Sequence, residues 1–331
     1  MSTWKFPAAD PSDLLLQRLR ELEAQGDERI KNQHVVSKGV LRGFATPGSR
    51  GKGWLLTPFD VRLGHEQKPR GLDGCGKVAD FLPFASASAE QLWKSVEDRL
   101  HDAIEAARAG NLHDRRAHAE AISDCIALHL VRSLRYRDMN RDIVARTIEN
   151  VRQTAPHSRR TLLQTEFQRR YGLIAGGPEA LAIVLEEPIS KWRALDTRGA
   201  IVRVSMETMF RRICDGLRPL AVEVWHVPSG YELLISDSPA FTFRYSRNNT
   251  VIEPNVAIGD SHGIALPLAR DCLAVIGPEP KDDELLPDQV SLFNKVQVAV
   301  TYRRVYYRPG SKLKTFVQAM LLLPREQSQS A

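Results

Sequence analysis

No uncharged apolar stretch approaches the ~18 residues that a membrane-spanning helix requires, so a transmembrane role is excluded at the level of sequence. The four cysteines, Cys75, Cys125, Cys214 and Cys272, stand far apart. No Cys-x-x-Cys knuckle exists, which removes a zinc ribbon or a thioredoxin-like site from consideration. Isolated cysteines in apolar settings behave as small buried hydrophobes, and a reducing cytoplasm is the expected location. Met1 to Pro11 carry no basic region followed by an apolar core, so no secretory signal is expected. A phosphate loop, a nucleophile elbow, a His-Glu-x-x-His helix and a kinase signature are all missing. Parallel βαβ alternation is missing as well, which argues against a doubly wound nucleotide fold.

What remains is an ordinary globular composition: 331 residues, 43% hydrophobic and 26% charged, with a formal charge of +6. That is ample chain for a core. Leucines at 14, 15, 16, 19 and 22 form a helical stripe, with Ser12 or Asp13 as cap and Gly26 as stop. Trp54–Leu56 read as a short strand, with Val61–Leu63 as its hairpin partner. Helical spacing is regular from Ser88 to Ala109, and a second helix is expected from Ala117 to Gln153, with Pro156 as its outer limit. Further helical signals cover Thr161–Tyr171 and Pro178–Leu185.

The texture then changes. Leu220–Val227 and Tyr231–Ile235 read as a hairpin around Pro228-Ser229-Gly230. Ala240–Tyr245, Gly263–Leu268 and Cys272–Ile276 read as further strands. Asp288–Tyr307 reads as helix, and Thr315–Leu323 as either a closing strand or a short helix. The expected class is α+β, with long central helices packed on a mainly antiparallel sheet from the C-terminal third. The expected organisation is an N-terminal helix (1–30), one α+β domain (31–324) and a disordered tail (325–331).

Charge is concentrated between Val131 and Arg170, where ten arginines face four carboxylates, Asp138, Asp142, Glu149 and Glu166. An arginine-rich helix over 131–170 can track a nucleic-acid backbone, or it can be a solvated face with acidic neighbours. His129 and Arg132, one turn apart in an apolar stretch, point either to an anion clamp or to a buried salt bridge. Gln33-His34 places a neutral imidazole beside an amide, suited to proton transfer or metal ligation. Asp237, in Ser236-Asp237-Ser238-Pro239 at a strand end, suits a metal ligand or a turn cap. Glu97 stands four residues before His101, and Asn294 sits among Leu292, Phe293 and Val296.

The order of these residues resembles a bacterial family, domain of unknown function 4238. The opening Asn32-Gln33-His34-Val35-Val36-Ser37-Lys38-Gly39-Val40-Leu41-Arg42-Gly43-Phe44 is similar to that family's Gln-His motif. Val96-Glu97, Leu130-Val131-Arg132, Ser236-Asp237-Ser238-Pro239 and the segment from Asn294 to Tyr306-Tyr307 follow in family order. Members more often carry Val-Pro after the histidine and Asn between Asp and Pro, where this chain has Val36-Ser37 and Ser238. The resemblance joins His34, Glu97, Arg132, Asp237 and Asn294 into one candidate cleft. The chemistry expected there is metal-assisted phosphodiester hydrolysis, as in a nuclease-like toxin or phage-defence effector. His34, Asp237 and Glu97 are the expected catalytic groups, and Asp237 and Glu97 would hold a divalent ion, Mg or Mn. Gln33, Arg132, Arg135 and Asn294 would bind the phosphate-bearing substrate. The alternative is a non-catalytic anion- or nucleic-acid-binding sensor, in which Arg132 and His34 grip the ligand.

Overall fold

The computed structural model describes residues 11–24, 29–49, 53–245 and 252–322, the first five as backbone only. The leucine stripe forms helix α1 (Pro11–Ala24), whose Leu19 and Leu22 pack with Phe84, Ala85, Ala200 and Val204. Pro11 takes its first position, where a missing N–H costs nothing, so Ser12 and Asp13 lie inside the helix. Gly26 and the tail from 325 lie outside the described residues.

Strand β1 (Asn32–His34) and helix α2 (Lys38–Gly43) carry the Gln-His segment. Next come β2 (Thr46–Pro47) and the long strand β3 (Trp54–Asp60), which pairs with β4 (His65–Glu66) and β5 (Arg70–Gly71). Val61–Leu63 make a turn instead of the expected partner strand. The cause is Asp60, whose carboxylate accepts the Arg62 and Leu63 N–H groups, each at 3.1 Å. Strand β6 (Lys77–Ala79) then pairs with β1, setting Lys77 opposite His34.

Both long helices expected from periodicity are broken. The first divides into α3 (Ser86–Glu97) and α4 (Leu100–Arg108), the second into α5 (Arg116–Val131) and α6 (Leu134–Ser158). Ser133 causes the second break: it is extended, and its hydroxyl accepts the Tyr136 N–H at 3.1 Å as the cap of α6. Glu97 closes α3 and Arg132 follows α5, so an ion pair at 2.7 Å ties one break to the other. Helices α7 (Arg160–Tyr171), α8 (Pro178–Thr197) and α9 (Ala200–Leu217) follow. Helices α6 to α8 enclose a small core of their own around Leu163, Leu181, Val184 and Ile189.

The C-terminal third supplies β7 (Ala221–His226), β8 (Ile235–Ser236), β9 (Phe241–Tyr245), β10 (Ile252–Pro254), β11 (Gly263–Ala269), β12 (Cys272–Gly277) and β13 (Lys281–Glu284). They are followed by α10 (Pro287–Val300), β14 (Arg304–Tyr307) and α11 (Leu313–Leu322). The larger sheet runs β10-β9-β11-β12-β7-β13 and is antiparallel except for the β7–β13 pair, as the α+β class requires. Helix α5, apolar nearly all round, is buried between this sheet and helices α4 and α9.

Two expectations change here. The hairpin across Pro228-Ser229-Gly230 does not form, because β7 is already flanked by β12 and β13. Strand β8 joins a second sheet instead, in the order β2-β3-β14-β8. The helix expected to reach Tyr307 ends at Val300, and Val305-Tyr306-Tyr307 form β14 between β3 and β8. A run of β-branched and aromatic residues prefers that pleated, buried setting. Thr315–Leu322 lie within α11, the helical one of the two readings of this segment.

Candidate functional site

Along β1 the side chains alternate. Gln33 points inward, where its amide accepts the Leu82 N–H at 2.6 Å and donates to the Leu82 carbonyl at 3.3 Å. It holds a loop and reaches no ligand. His34, its neighbour, is half-buried with its Nε2 enclosed and without a hydrogen-bond partner. Burial lowers its pKa to about 4, reinforced by Lys77, Lys38 and Arg132 and opposed by Glu97.

Three residues on, Ser37 starts a buried polar cluster, in which the Arg132 Nε alone is without a hydrogen-bond partner among the described residues. Its N–H donates to His129 Nε2 at 3.1 Å, and its hydroxyl donates to Glu97 at 2.8 Å. His129 Nδ1 lies 2.8 Å from the Cys125 carbonyl, which fixes the proton on Nδ1 and leaves Nε2 as acceptor. Burial brings this imidazole down to about 4 as well. Arg132 has no solvent exposure; it meets Glu97 at 2.7 Å and Glu90 at 3.5 Å, and lies 5.6 Å from the Trp93 ring centroid. Burial pushes the Glu97 carboxyl up, but Arg132 and Ser37 outweigh it and hold the group below its usual value. His34, Glu97 and Arg132 therefore share one neighbourhood, and the Arg132 group is a buried salt bridge rather than an open clamp.

Asp237 and Asn294, also singled out in the sequence, are engaged with backbone. Asp237 follows β8, and its two oxygens accept the N–H groups of Tyr302, Arg303 and Arg304 at 2.8, 2.8 and 2.9 Å. It is a turn organiser, which is why α10 stops and β14 begins there. Burial raises its pKa against the pull of those amides and of Arg304. Asn294 on α10 accepts the Leu234 N–H and donates to the Glu232 carbonyl, both at 2.9 Å. Gln297, one turn on, does the same for Ser236 and Pro239 at 2.9 and 2.8 Å. These two amides satisfy the irregular backbone that an adjacent strand would otherwise serve. Arg135, in the first turn of α6, is exposed, and its side chain forms no hydrogen bond or ion pair among the described residues. The Asp237, Asn294 and Gln33 side chains are thus each engaged with backbone groups. Among the described residues, no group of three or more His, Cys, Asp or Glu side chains converges as a donor set for a metal ion.

The arginine-rich window is also divided. Arg132, Arg137, Arg152, Arg169 and Arg170 are paired with Glu97, Asp138, Glu186, Glu166 and Glu187. Arg135, Arg141, Arg146, Arg159 and Arg160 form no ion pair among the described residues. Half of the excess charge is thereby neutralised in place. No helix among the described residues is long and apolar enough to cross a membrane. Cys75, Cys125 and Cys272 are buried free thiols, and Cys214 is half-buried and free.

A hollow of about 340 Å³ opens where the segments of the family resemblance meet. Val35 and Lys77–Ala79 wall one side, Leu134 and Arg137 of α6 a second, and Asp237, Tyr302–Arg304 and Tyr306 a third, with Arg62 at the rim. Gly76 links two walls: its N–H donates to the Tyr306 hydroxyl at 3.1 Å, and its carbonyl accepts the Val35 N–H at 2.7 Å. Its φ of +63° favours glycine, and an added Cβ would meet Leu41 at 3.0 Å. Around the hollow, Arg137 pairs with Asp138 and Arg303 with Asp60, while Arg62 donates to the Tyr302 carbonyl and stacks over that ring. The Lys77 and Arg304 side chains have no hydrogen-bond or ion-pair partner among the described residues, and the Arg304 Nε is buried. Sequence reasoning missed both. They lie in different thirds of the chain, and no motif marks either one.

No curated protein and no solved structure matches the chain. A family model described as Protein of unknown function (DUF4238) matches residues 32–311. That span runs from the first residue of β1 to beyond β14 and holds both the polar cluster and the hollow, and the chain belongs to this family.

Proposed function

We propose that the protein is an anion-binding module whose ligand enters the hollow between β6, α6 and the Tyr302–Arg304 turn. The observation that carries this reading is the unpartnered pair Lys77 and Arg304, facing a cavity whose one carboxylate, Asp237, already accepts three N–H groups. Both side chains are half-buried at the wall of the hollow, with the Arg304 Nε enclosed, and a bound anion adds a charge-assisted contact to each. Calorimetric titration with inorganic phosphate and sulfate tests the reading. The wild type binds, and Arg304→Ala and Lys77→Ala each weaken binding by about tenfold or more, the scale of one lost charge-assisted contact. Equal binding by the wild type and both variants overturns it.

One observation favours the hydrolytic reading: His34 presents an enclosed, unpartnered Nε2 close to Glu97 and Arg132. In that reading His34 moves a proton, Glu97 and Asp237 take up Mg or Mn, and the unpaired arginines of α6 and α7 guide RNA or DNA. Asp237 would have to leave three amides and Glu97 would have to leave Arg132, so anion binding is the better supported of the two. Labelled RNA and DNA incubated with Mg or Mn decide between them. Cleavage that disappears in His34→Ala establishes the hydrolase.

A further inference from the structure

The charges around the hollow define its ligand more narrowly. Arg62, Lys77, Arg137, Arg303 and Arg304 supply five positive charges, and Asp60, Asp138 and Asp237 supply three negative ones, an excess of two. A carboxylate or a phosphodiester link brings one negative charge, whereas a phosphate monoester brings about −1.5 to −2 near neutral pH. Donor geometry agrees with the charge count. Arg304 offers a planar fork, Lys77 a mobile ammonium, and the Tyr306 hydroxyl accepts from Gly76 but donates to nothing, leaving its proton for a ligand oxygen. Three classes of donor suit the three terminal oxygens of a monoester better than the two of a diester. The organic part of the ester has apolar surface to rest on, formed by Val35, Val78, Ala79 and Leu134. A hollow of about 340 Å³ is near the lower end of small-molecule sites, too small for several nucleotides of a strand.

Building on the anion-binding reading, we infer that the ligand is a terminal phosphate monoester, its phosphate held by Lys77, Arg304 and Tyr306 and its carbon portion against Val78 and Leu134. The monoester can belong to a small metabolite or to a phosphorylated side chain, which present the same group. Nothing is transferred or cleaved in this proposal. The ligand enters and leaves intact.

The test is titration of the full chain with glycerol phosphate, a phosphoserine peptide, dimethyl phosphate and an oligonucleotide without terminal phosphates. One or both monoesters are expected to bind at least about tenfold more tightly than dimethyl phosphate, the cost of one lost charge-assisted contact. The stronger of the two identifies the source. Affinity should fall severalfold as pH drops past about 6, where the monoester takes up its second proton. Lys77→Met and Arg304→Lys, both checked by circular dichroism for retained fold, should weaken the monoesters at least severalfold, and Tyr306→Phe should weaken them less. Diester or oligonucleotide binding equal to monoester binding, still dependent on Arg304, overturns the monoester assignment and leaves the anion-binding module standing. Failure of every anion to bind overturns both.

Discussion

Replacing Asp237 by alanine removes one group that serves three backbone donors at 2.8 to 2.9 Å. The residue is only 5% exposed, so water cannot readily take over those contacts. A buried donor left unpaired costs roughly 1–3 kcal/mol. Three donors sharing one acceptor do not add in full, so the expected loss is about 3–5 kcal/mol. Asp237→Asn keeps one acceptor oxygen but turns an NH₂ toward other donors, and about 1–3 kcal/mol is expected. Urea unfolding followed by circular dichroism measures both, as a shift in midpoint at unchanged slope. A loss below about 1 kcal/mol for the alanine variant refutes the turn-organiser role, because ordinary surface substitutions fall in that range. The same pair of variants separates the functional readings. If Asp237 held a catalytic metal, alanine would abolish cleavage and leave stability nearly untouched. As a turn organiser it affects stability first, and the folded Asn variant, with one more uncompensated positive charge in the hollow, should keep its affinity for phosphate.

Glu97→Ala strands a fully buried arginine and should cost about 3–5 kcal/mol, whereas the double replacement Glu97→Leu with Arg132→Met should cost clearly less, and a double-mutant cycle in urea reads the difference. His129 is depressed from 6.5 to about 4, so the unfolded chain binds more protons than the folded one between those values. Its contribution is present above about pH 6.5 and is lost as the pH falls toward 4, amounting to about 3 kcal/mol over that window. A flat stability profile between pH 6.5 and 4.5 in the wild type, matching that of His129→Gln, would contradict this assignment.

Periodicity made the fold class legible because the signals were long and unmixed. The all-apolar middle of α5 and the strands β11 and β12 needed no tertiary information. Boundaries failed where a single side chain decided them. Ser133 caps a new helix inside a continuous helical pattern, and Asp60 bends the chain where alternation suggested a strand. Val305-Tyr306-Tyr307 continued a plausible helix by spacing, yet β3 and β8 offered that segment two partners. Residue type alone could not separate a polar group that binds a ligand from one that binds backbone. Asp237, Asn294 and Gln33 are all of functional character, and all are engaged with main-chain groups contributed by distant segments. Glu97 and Arg132 do meet, but to neutralise each other, with His34 beside them. Lys77 and Arg304 carried no local signal at all.

Strand β14 reaches its place between β3 and β8 from a segment far beyond β3 in sequence, and its first residue is Arg304. During synthesis β3 therefore waits with an open edge until the distant β14 has been made, a period when stray strand pairing is the main hazard. Closure of that sheet edge and of the third wall of the hollow is then a single event, so a chain that stops short of β14 has neither.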